Sequence, residues 1–427
     1  MQPPTTPGTR STRRPQEQTT HPSTLGNRGR RSSRNRRDRG VHTLDPALLN
    51  LLERTRSRIE HETAELTDQF YAALFTRAPG LRTLFPLDSH GRRAPLTDTL
   101  IWLLQRLDHP EELARRLADL GRDHRKHGIT AAHYETAGNA LLEALAHIHG
   151  PTWTPPLAAA WTTAYAAATH DLLTAAAADR GPALWLGRVV EHDRPAADLA
   201  CIVVQTLEPV PHEPGQYLSV EIPQRPGMWR HLSPTEPARP DNVMRFCVRA
   251  VRHGLVSPAL VAQTRVGDTW RLGPPLGRLP DVLGTGRDLL LLASGTGIAP
   301  ISALIAALAT RDDPPHTHLY VSARSHTELR ALLAAALGAR PRPWLALTPV
   351  IPPTEDERPG SLVGTALRGR TWRHHDVVIC GPPRMQKAAA DRLLAAGVPA
   401  NQIHGDPLPT STAIQPFALR PQKRSHQ

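Results

Sequence analysis

Between Leu44 and about Arg180, apolar residues recur every three or four positions. The runs are LLNLLERTRSRIEHETAELTDQFYAALF, LIWLLQRL, ELARRLADL, YETAGNALLEALAHI and LAAAWTTAYAAATHDLLTAAAA. That period places them on one face of successive helices. Breaks fall at Pro79-Gly80, Pro86, Gly91, Pro110, Gly128 and Gly150-Pro151, residues that punctuate helices. An all-helical domain over 44–180 is the expectation. Beyond Gly181-Pro182 the rhythm shortens. LWLGRVVEH, LACIVVQTLE, GQYLSVEIP, MRFCVRAV and DTWRLG are β-rich runs between Pro, Gly and Asp, the texture of an antiparallel barrel over 183–282. Over 286–408, the strands DLLLLAS, HLYVSA, WLALTPVI and DVVICGP alternate with helical stretches, which implies a parallel, doubly wound α/β domain. The predicted fold class is multidomain: all-α, then antiparallel β-barrel, then α/β.

A chain of 427 residues fits two or three such cores. Its net charge of +12 would suggest a polyanion partner, but the charge is not spread evenly. Residues 1–40 hold ten arginines against Glu17 and Asp38, or +8, and residues 411–427 add +3, which leaves +1 for everything between. The ends 1–43 and 409–427 are too polar to bury a core and are expected to be disordered. The basic head reads either as an arm for nucleic acid or anionic membrane, or as a solvated tail or misassigned start. Partners are expected to be small molecules, with no specific nucleic acid, for a monomer or homodimer. Cys201, Cys247 and Cys380 are far apart and form no CxxC, which favours a reducing cytoplasm over a disulfide framework. No run reaches the roughly 20 apolar residues of a membrane span.

Three histidines crowd the stretch GRDHRKHGITAAHY: His124, His127 and His133. His124 and His127 are three apart on similar helical faces, yet no third ligand completes a zinc pattern. Elsewhere, LLLLASGTGIAPISALIAAL sets a glycine turn between strand and helix. Glycines there let backbone N–H groups approach a phosphate at a helix N-terminus. CGPPRM ends a later strand of the same domain.

The ordered set GQY (215–217), RHLS (230–233), GLVS (254–257), VGD (266–268), GPPLG (273–277), GTGIAP (295–300) and CGPPRM (380–385) resembles the ferredoxin-reductase-like flavoenzymes. The helical half, with FYAALFTRAPGLRTLFP, LGRDHRKHGITAAHYETAGNALLEAL and GPTWTPPLAAAWTTAYAA, resembles a globin. A globin followed by such a reductase resembles the flavohaemoglobin family, its actinobacterial branch in particular.

The resemblance implies three cofactors: haem b, FAD, and NADH or NADPH. It makes His124 the proximal iron ligand and Tyr134 the tyrosine beside it. Tyr71 becomes the oxygen-stabilising tyrosine, Phe85 the ring packed on haem, Leu96 the apolar residue above iron, and Arg92 the stand-in for the family's distal glutamine. Arg230 would pair with the FAD pyrophosphate, and Ser233 would reach the isoalloxazine. Tyr217 and His231 would lie in the same site, and Leu255, Val256 and Ser257 would supply backbone donors to the phosphates. Gly295, Thr296 and Gly297 would cradle the nicotinamide dinucleotide, with Cys380, Gly381 and Pro382 beside the nicotinamide. Three positions depart from the family. Leu232 replaces the tyrosine that covers the flavin, Leu408 replaces a C-terminal aromatic residue, and no acid stands where the last helix should support the proximal pair, leaving Asp171 or Asp179 nearby. The implied activity is a nitric oxide dioxygenase using O2 and NAD(P)H and giving nitrate. The alternatives are a haem-based redox or gas sensor, or a haem-linked NAD(P)H oxidase or peroxide reductase with a weakened flavin site.

Overall fold

The computed structural model describes residues 44–85, 96–107, 109–277, 279, 282–338, 342–351 and 358–406. The expected tails 1–43 and 409–427, and with them Arg92 and Leu408, lie outside the described residues. The helical half runs α1 (Pro46–Glu53), α2 (Arg56–His61), α3 (Thr63–Arg77), α4 (Leu96–Leu104), α5 (Pro110–His124), α6 (Ala131–His149) and α7 (Pro155–Ala178). Pro46, Pro110 and Pro155 each sit in a first turn, where a missing N–H leaves no bond unmade. The pattern at 48–75 is interrupted twice, at Arg54–Thr55 and at Glu62. Thr55 Oγ1 donates to Leu52 O at 2.6 Å, and Thr63 Oγ1 to Ile59 O at 3.0 Å. Such side-chain bonds compete with the helical ladder, which periodicity does not reveal.

Two apolar clusters fill this half. One gathers Leu66, Phe70, Tyr71, Leu74, Phe75, Leu100, Leu104, Leu145 and Trp161. The other gathers Leu113, Leu117, Tyr134, Ala167 and Leu172. α5 and α7 approach so closely that a methyl group at Gly121 would collide with the Leu172 carbonyl.

The barrel consists of β1 (Trp185–Ala196), β2 (Leu199–Thr206), β3 (Tyr217–Glu221), β4 (Arg230–Leu232), β5 (Val243–Arg249) and β6 (Thr269–Leu276). Its strands run in the order β4-β3-β6-β1-β2-β5, every neighbouring pair antiparallel. The two end strands meet where Pro234 bridges to Phe246 and Thr235 N donates to Arg245 O at 2.9 Å. That closure removes the open edges. The short helix α8 (Ser257–Ala262) adds Ala259, Leu260 and Val261 to the barrel core.

The last domain is a parallel sheet in the order β11-β10-β7-β8-β9, from β7 (Leu289–Ser294), β8 (Thr317–Ser322), β9 (Leu345–Val350), β10 (Asp376–Cys380) and β11 (Ile403–Gly405). Its helices are α9 (Ile298–Leu308), α10 (His326–Leu337), α11 (Arg358–Ala366) and α12 (Pro383–Ala395). On β7, Leu289 and Leu291 join one core while Leu290 and Leu292 join another, so both faces of the sheet are covered. The strand order reverses between β7 and β10. Crevices beyond the carboxyl ends of strands at such a reversal are where open α/β sheets bind ligands.

Candidate functional site

α5 ends on His124, and α6 presents Tyr134 from its first turns. The Tyr134 hydroxyl lies 2.7 Å from His124 Nδ1, and Tyr165 OH of α7 donates to the Tyr134 carbonyl at 2.7 Å. Burial is the main cause that pushes the His124 pKa below its ordinary value, so the imidazole is neutral. In the tautomer whose Nδ1 donates to the phenol oxygen, Nε2 presents a lone pair, the arrangement a metal-binding imidazole needs. Burial raises the Tyr134 phenol well above its usual range, so the partner is neutral too. Asp179 is committed elsewhere: its Oδ2 lies 2.7 Å from Arg125 Nη1, and its Oδ1 accepts from Gly181 N at 3.0 Å.

The other two histidines of the triplet have their own work. His133 sits at the third helical position of α6 and closes a capping box with Thr130, whose N–H donates to His133 Nδ1 at 3.0 Å. His127 packs edge-on to Trp229 of the barrel, ring centres 5.7 Å apart.

Tyr71, on α3, is buried among rings: Phe70 at 5.1 Å, Phe85 at 5.2 Å, and Phe75 stacked at 5.5 Å. Leu96 opens α4. A cavity of about 70 Å³ separates the Tyr71 cluster from the Tyr134 cluster, lined by Leu100 and Leu104 of α4, Leu113 and Leu117 of α5, and Trp161 and Tyr165 of α7. The buried Trp161 Nε1 has no partner there. A pocket for a large ligand needs roughly 300 Å³ or more. The walls of this cavity are apolar, and His124, Tyr134, Tyr71 and Phe85 are not among the residues that line it, so a macrocycle held by His124 would need these walls to part.

On the barrel, β3 and β4 pair Leu218 with Leu232, Ser219 with His231, and Val220 with Arg230. Leu218 and Val220 point into the core, so Leu232 shares the core-facing side and packs against it. His231, Ser219 and Tyr217 share the opposite face. The Tyr217 ring lies 4.7 Å from His231, and Tyr217 OH accepts from Arg116 Nη1 at 3.2 Å. Arg230 is half-buried, donates to the Trp229 carbonyl at 2.6 Å, and is pushed down to about 10 by burial alone. Among the described residues no carboxylate offsets that charge. Burial holds His231 neutral, at about 3. His231 Nε2, Ser233 Oγ and Thr235 Oγ1 are buried and unpartnered. A guanidinium whose charge is not offset, on the same short strand as unsatisfied polar atoms, suits a bound polyanion with a polar ring. Leu255, Val256 and Ser257 lead into α8. Val256 is fully buried, and Ser257 Oγ accepts from Val251 N at 2.9 Å.

In the α/β domain, Gly295, Thr296 and Gly297 form a single tight turn between β7 and α9, with Gly295 at φ 55°. A methyl group at Gly297 would collide with the Cys380 carbonyl, and one at Gly381 (φ 150°) would meet Met385 Cε at 2.6 Å. The two glycine loops thus touch at the sheet's switch point. Above Gly295 the nearest atoms to an added methyl belong to Arg249, 3.9 Å away, so the backbone there is open to a ligand. Cys380 is fully buried, its thiol raised by burial, and Pro382 caps α12.

Three family models match in succession: Globin over 68–172, Oxidoreductase FAD-binding domain over 189–280, and Oxidoreductase NAD-binding domain over 291–391. The flavohemoprotein of Vibrio cholerae is 25% identical over 400 residues, covering 83% of this chain and 95% of the relative. The chain belongs to the flavohaemoglobin family. A second flavohemoprotein, from Deinococcus radiodurans, is 29% identical over 62% of this chain and 70% of its own length. The crystal structure of the Malassezia yamatoensis flavohemoglobin, with bound FAD and heme, superimposes with a TM-score of 0.69 at 20% identity, covering 85% of this chain and 98% of that one. Within this flavohaemoglobin, the motif-bearing residues form three separate groups: the helical seam, the outer barrel face, and the switch-point crevice.

A fourth group was not legible in the motifs. Asp123 and Lys126, flanking His124, reach across to Ser219 on β3. The one hint in the sequence is that Ser219 stands between the core residues Leu218 and Val220, which puts it on the outer face.

Proposed function

We propose that the chain takes electrons from NADH or NADPH through FAD to a b-type haem and uses them to convert nitric oxide and O2 to nitrate. The observation that carries this reading is the His124 imidazole, its pKa lowered by burial and its Nδ1 2.7 Å from the Tyr134 hydroxyl. FAD and haem supply the redox chemistry when bound; the chain supplies position and polarity. His124 is the iron ligand and Tyr134 fixes its ring. Phe85 walls the haem, Tyr71 gives the distal side a polar group, and the apolar seam excludes water; Arg92 and the Leu96 side chain, assigned to this pocket by the family likeness, lie outside what the structure describes. Arg230 takes the FAD diphosphate with the backbone at Leu255, Val256 and Ser257. Ser233 and His231, their polar atoms unpartnered, meet the flavin ring. Gly295, Thr296 and Gly297 take the coenzyme diphosphate, and Cys380, Gly381 and Pro382 border the nicotinamide.

O2 and nitric oxide are the partners this reading assigns, with no specific nucleic acid, for a monomer or homodimer. Among the described residues no helix is long and apolar enough to cross a membrane. The three free cysteines suit the cytoplasm. A second reading draws on Leu232. Turned into the barrel core, it leaves the flavin without an aromatic cover, which favours a haem sensor with a poorly held flavin. Purification decides between them. Haem and flavin absorbance together, with NADH-dependent loss of nitric oxide and matching nitrate, supports the dioxygenase. Haem alone, with no NADH oxidation, supports the sensor.

A further inference from the structure

α5 carries two neighbouring stripes. Leu113, Leu117, Leu120 and His124 recur at helical spacing, the three leucines in or against one apolar cluster. Arg116, Asp119 and Asp123, continued by Lys126 in the turn after the helix, form the next stripe, and each of these side chains bonds to the barrel. Arg116 donates to Tyr217 OH, Asp119 Oδ2 accepts from Gly277 N at 3.2 Å, and Asp123 and Lys126 both bond Ser219.

The last contact is the buried one. Lys126 Nζ donates to Asp123 Oδ1 at 2.5 Å and to Ser219 Oγ at 2.9 Å, while Ser219 Oγ donates to the same Asp123 oxygen at 2.8 Å. The Lys126 side chain is 1% exposed and that of Asp123 10%. Trp229 roofs the cluster, its ring 4.5 Å from Lys126 Nζ and edge-on to His127. On the floor, β6 passes so near that a methyl group at Gly273 would collide with Ser219 Oγ and lie 3.3 Å from Lys126 Cδ.

A buried ion pair is costly and contributes little net stability, so its presence at this junction calls for a role in specifying geometry. We propose that Asp123, Lys126 and Ser219 form a positioning clamp that fixes the His124 helix on the flavin-binding barrel for electron transfer between the two halves. The inference rests on the haem and FAD assignments above. Asp123 adjoins His124 in the chain, and Ser219 faces His231 across the β3–β4 pair. One side-chain triangle thus joins the residue next to the iron ligand to the strand pair of the flavin site. Ser219 borders the flavin face beside His231, while Asp123 and Lys126 act through α5 and β3.

The test uses the haem- and flavin-loaded protein and two lesions, one from each side. Gly273→Ala drives a methyl group into the clamp from the barrel. Asp123→Leu with Lys126→Met replaces the ions by apolar groups of similar size, a change that buried pairs often tolerate in stability. Flavin reduction is read as NADH-driven ferricyanide reduction, and haem reduction by anaerobic rapid mixing with NADH. Both variants should keep the ferricyanide rate and slow haem reduction by about 10- to 100-fold, the effect of ångström-scale misplacement. Hydrogen exchange in cofactor-free protein should show lost protection over residues 119–127 and 217–221 and none over β7 or α9. Haem reduction as fast as in the parent, or both rates falling together, overturns the clamp. If the parent itself shows flavin reduction without haem reduction, the functional reading falls and the clamp falls with it. Failure of the double variant to fold leaves Gly273→Ala to decide.

Discussion

Arg230 gives a prediction whose two halves have opposite signs. Its guanidinium is pushed down to about 10 from an ordinary value of 12.5, by burial with no compensating carboxylate. At about 1.4 kcal/mol per unit, keeping it charged in the cofactor-free chain costs on the order of 3 kcal/mol, or somewhat less after solvent screening of a half-buried group. On the proposed reading, a ligand phosphate offsets that cost. Arg230→Met keeps the stem and removes the charge. The cofactor-free protein should then become more stable, by about 1–3 kcal/mol. FAD affinity should fall by at least about tenfold, since a hydrogen bond to a charged group is worth about 1.5–3 kcal/mol. Urea unfolding of the flavin-free chain measures the first, and flavin fluorescence titration the second. A variant less stable than its parent that binds FAD as tightly would refute the phosphate assignment.

Three further outcomes follow from the same geometry. Gly297→Ala should leave FAD bound yet sharply slow NADH-driven flavin reduction, because the added methyl group collides with the Cys380 carbonyl; an unchanged rate would remove the turn from the coenzyme site. Tyr134→Phe should retain haem and shift its midpoint potential by only a few tens of millivolts, as expected for a neutral bond worth about 1 kcal/mol; a shift several times larger would mean the phenol carries charge. On acidification, His127 and His231 stay neutral in the fold down to about 4 and about 3, while their unfolded forms take up protons near pH 6.5. Stability should therefore fall with decreasing pH from about 6.5, by up to 1.4 kcal/mol per pH unit per histidine. His231→Gln should reduce that slope in denaturant melts; an unaltered slope would contradict the burial argument.

The three-domain architecture was legible because the hydrophobic period itself changes, from helical spacing to short β runs to strand–helix alternation. The strands that escaped were the three-residue β4 and β11, too short to show any period. The helix interruptions at Thr55 and Glu62 escaped because side-chain hydroxyl bonds leave no trace in apolar spacing. The pairing of His124 with Tyr134 followed from ten residues of local sequence and a family likeness. The clamp did not, since Ser219 lies 93 residues from Lys126 and 96 from Asp123, and no local pattern encodes such a contact. Leu232 shows a different limit. Its departure from the family is plain in the sequence, but its turn into the core follows only from its register with Leu218. His133, which shares a short stretch with His124, is a helix cap, a role the histidine spacing does not show.

The most direct test of the central claim is anaerobic mixing of the haem- and FAD-loaded chain with NADH, following the flavin band and the Soret band together, alongside the same experiment on His124→Ala. The account predicts flavin bleaching followed by a haem spectral shift in the parent. In the variant it predicts flavin bleaching with no Soret band, because the iron has lost its ligand. A variant that keeps a parent-like Soret band and is reduced at the parent's rate would contradict it.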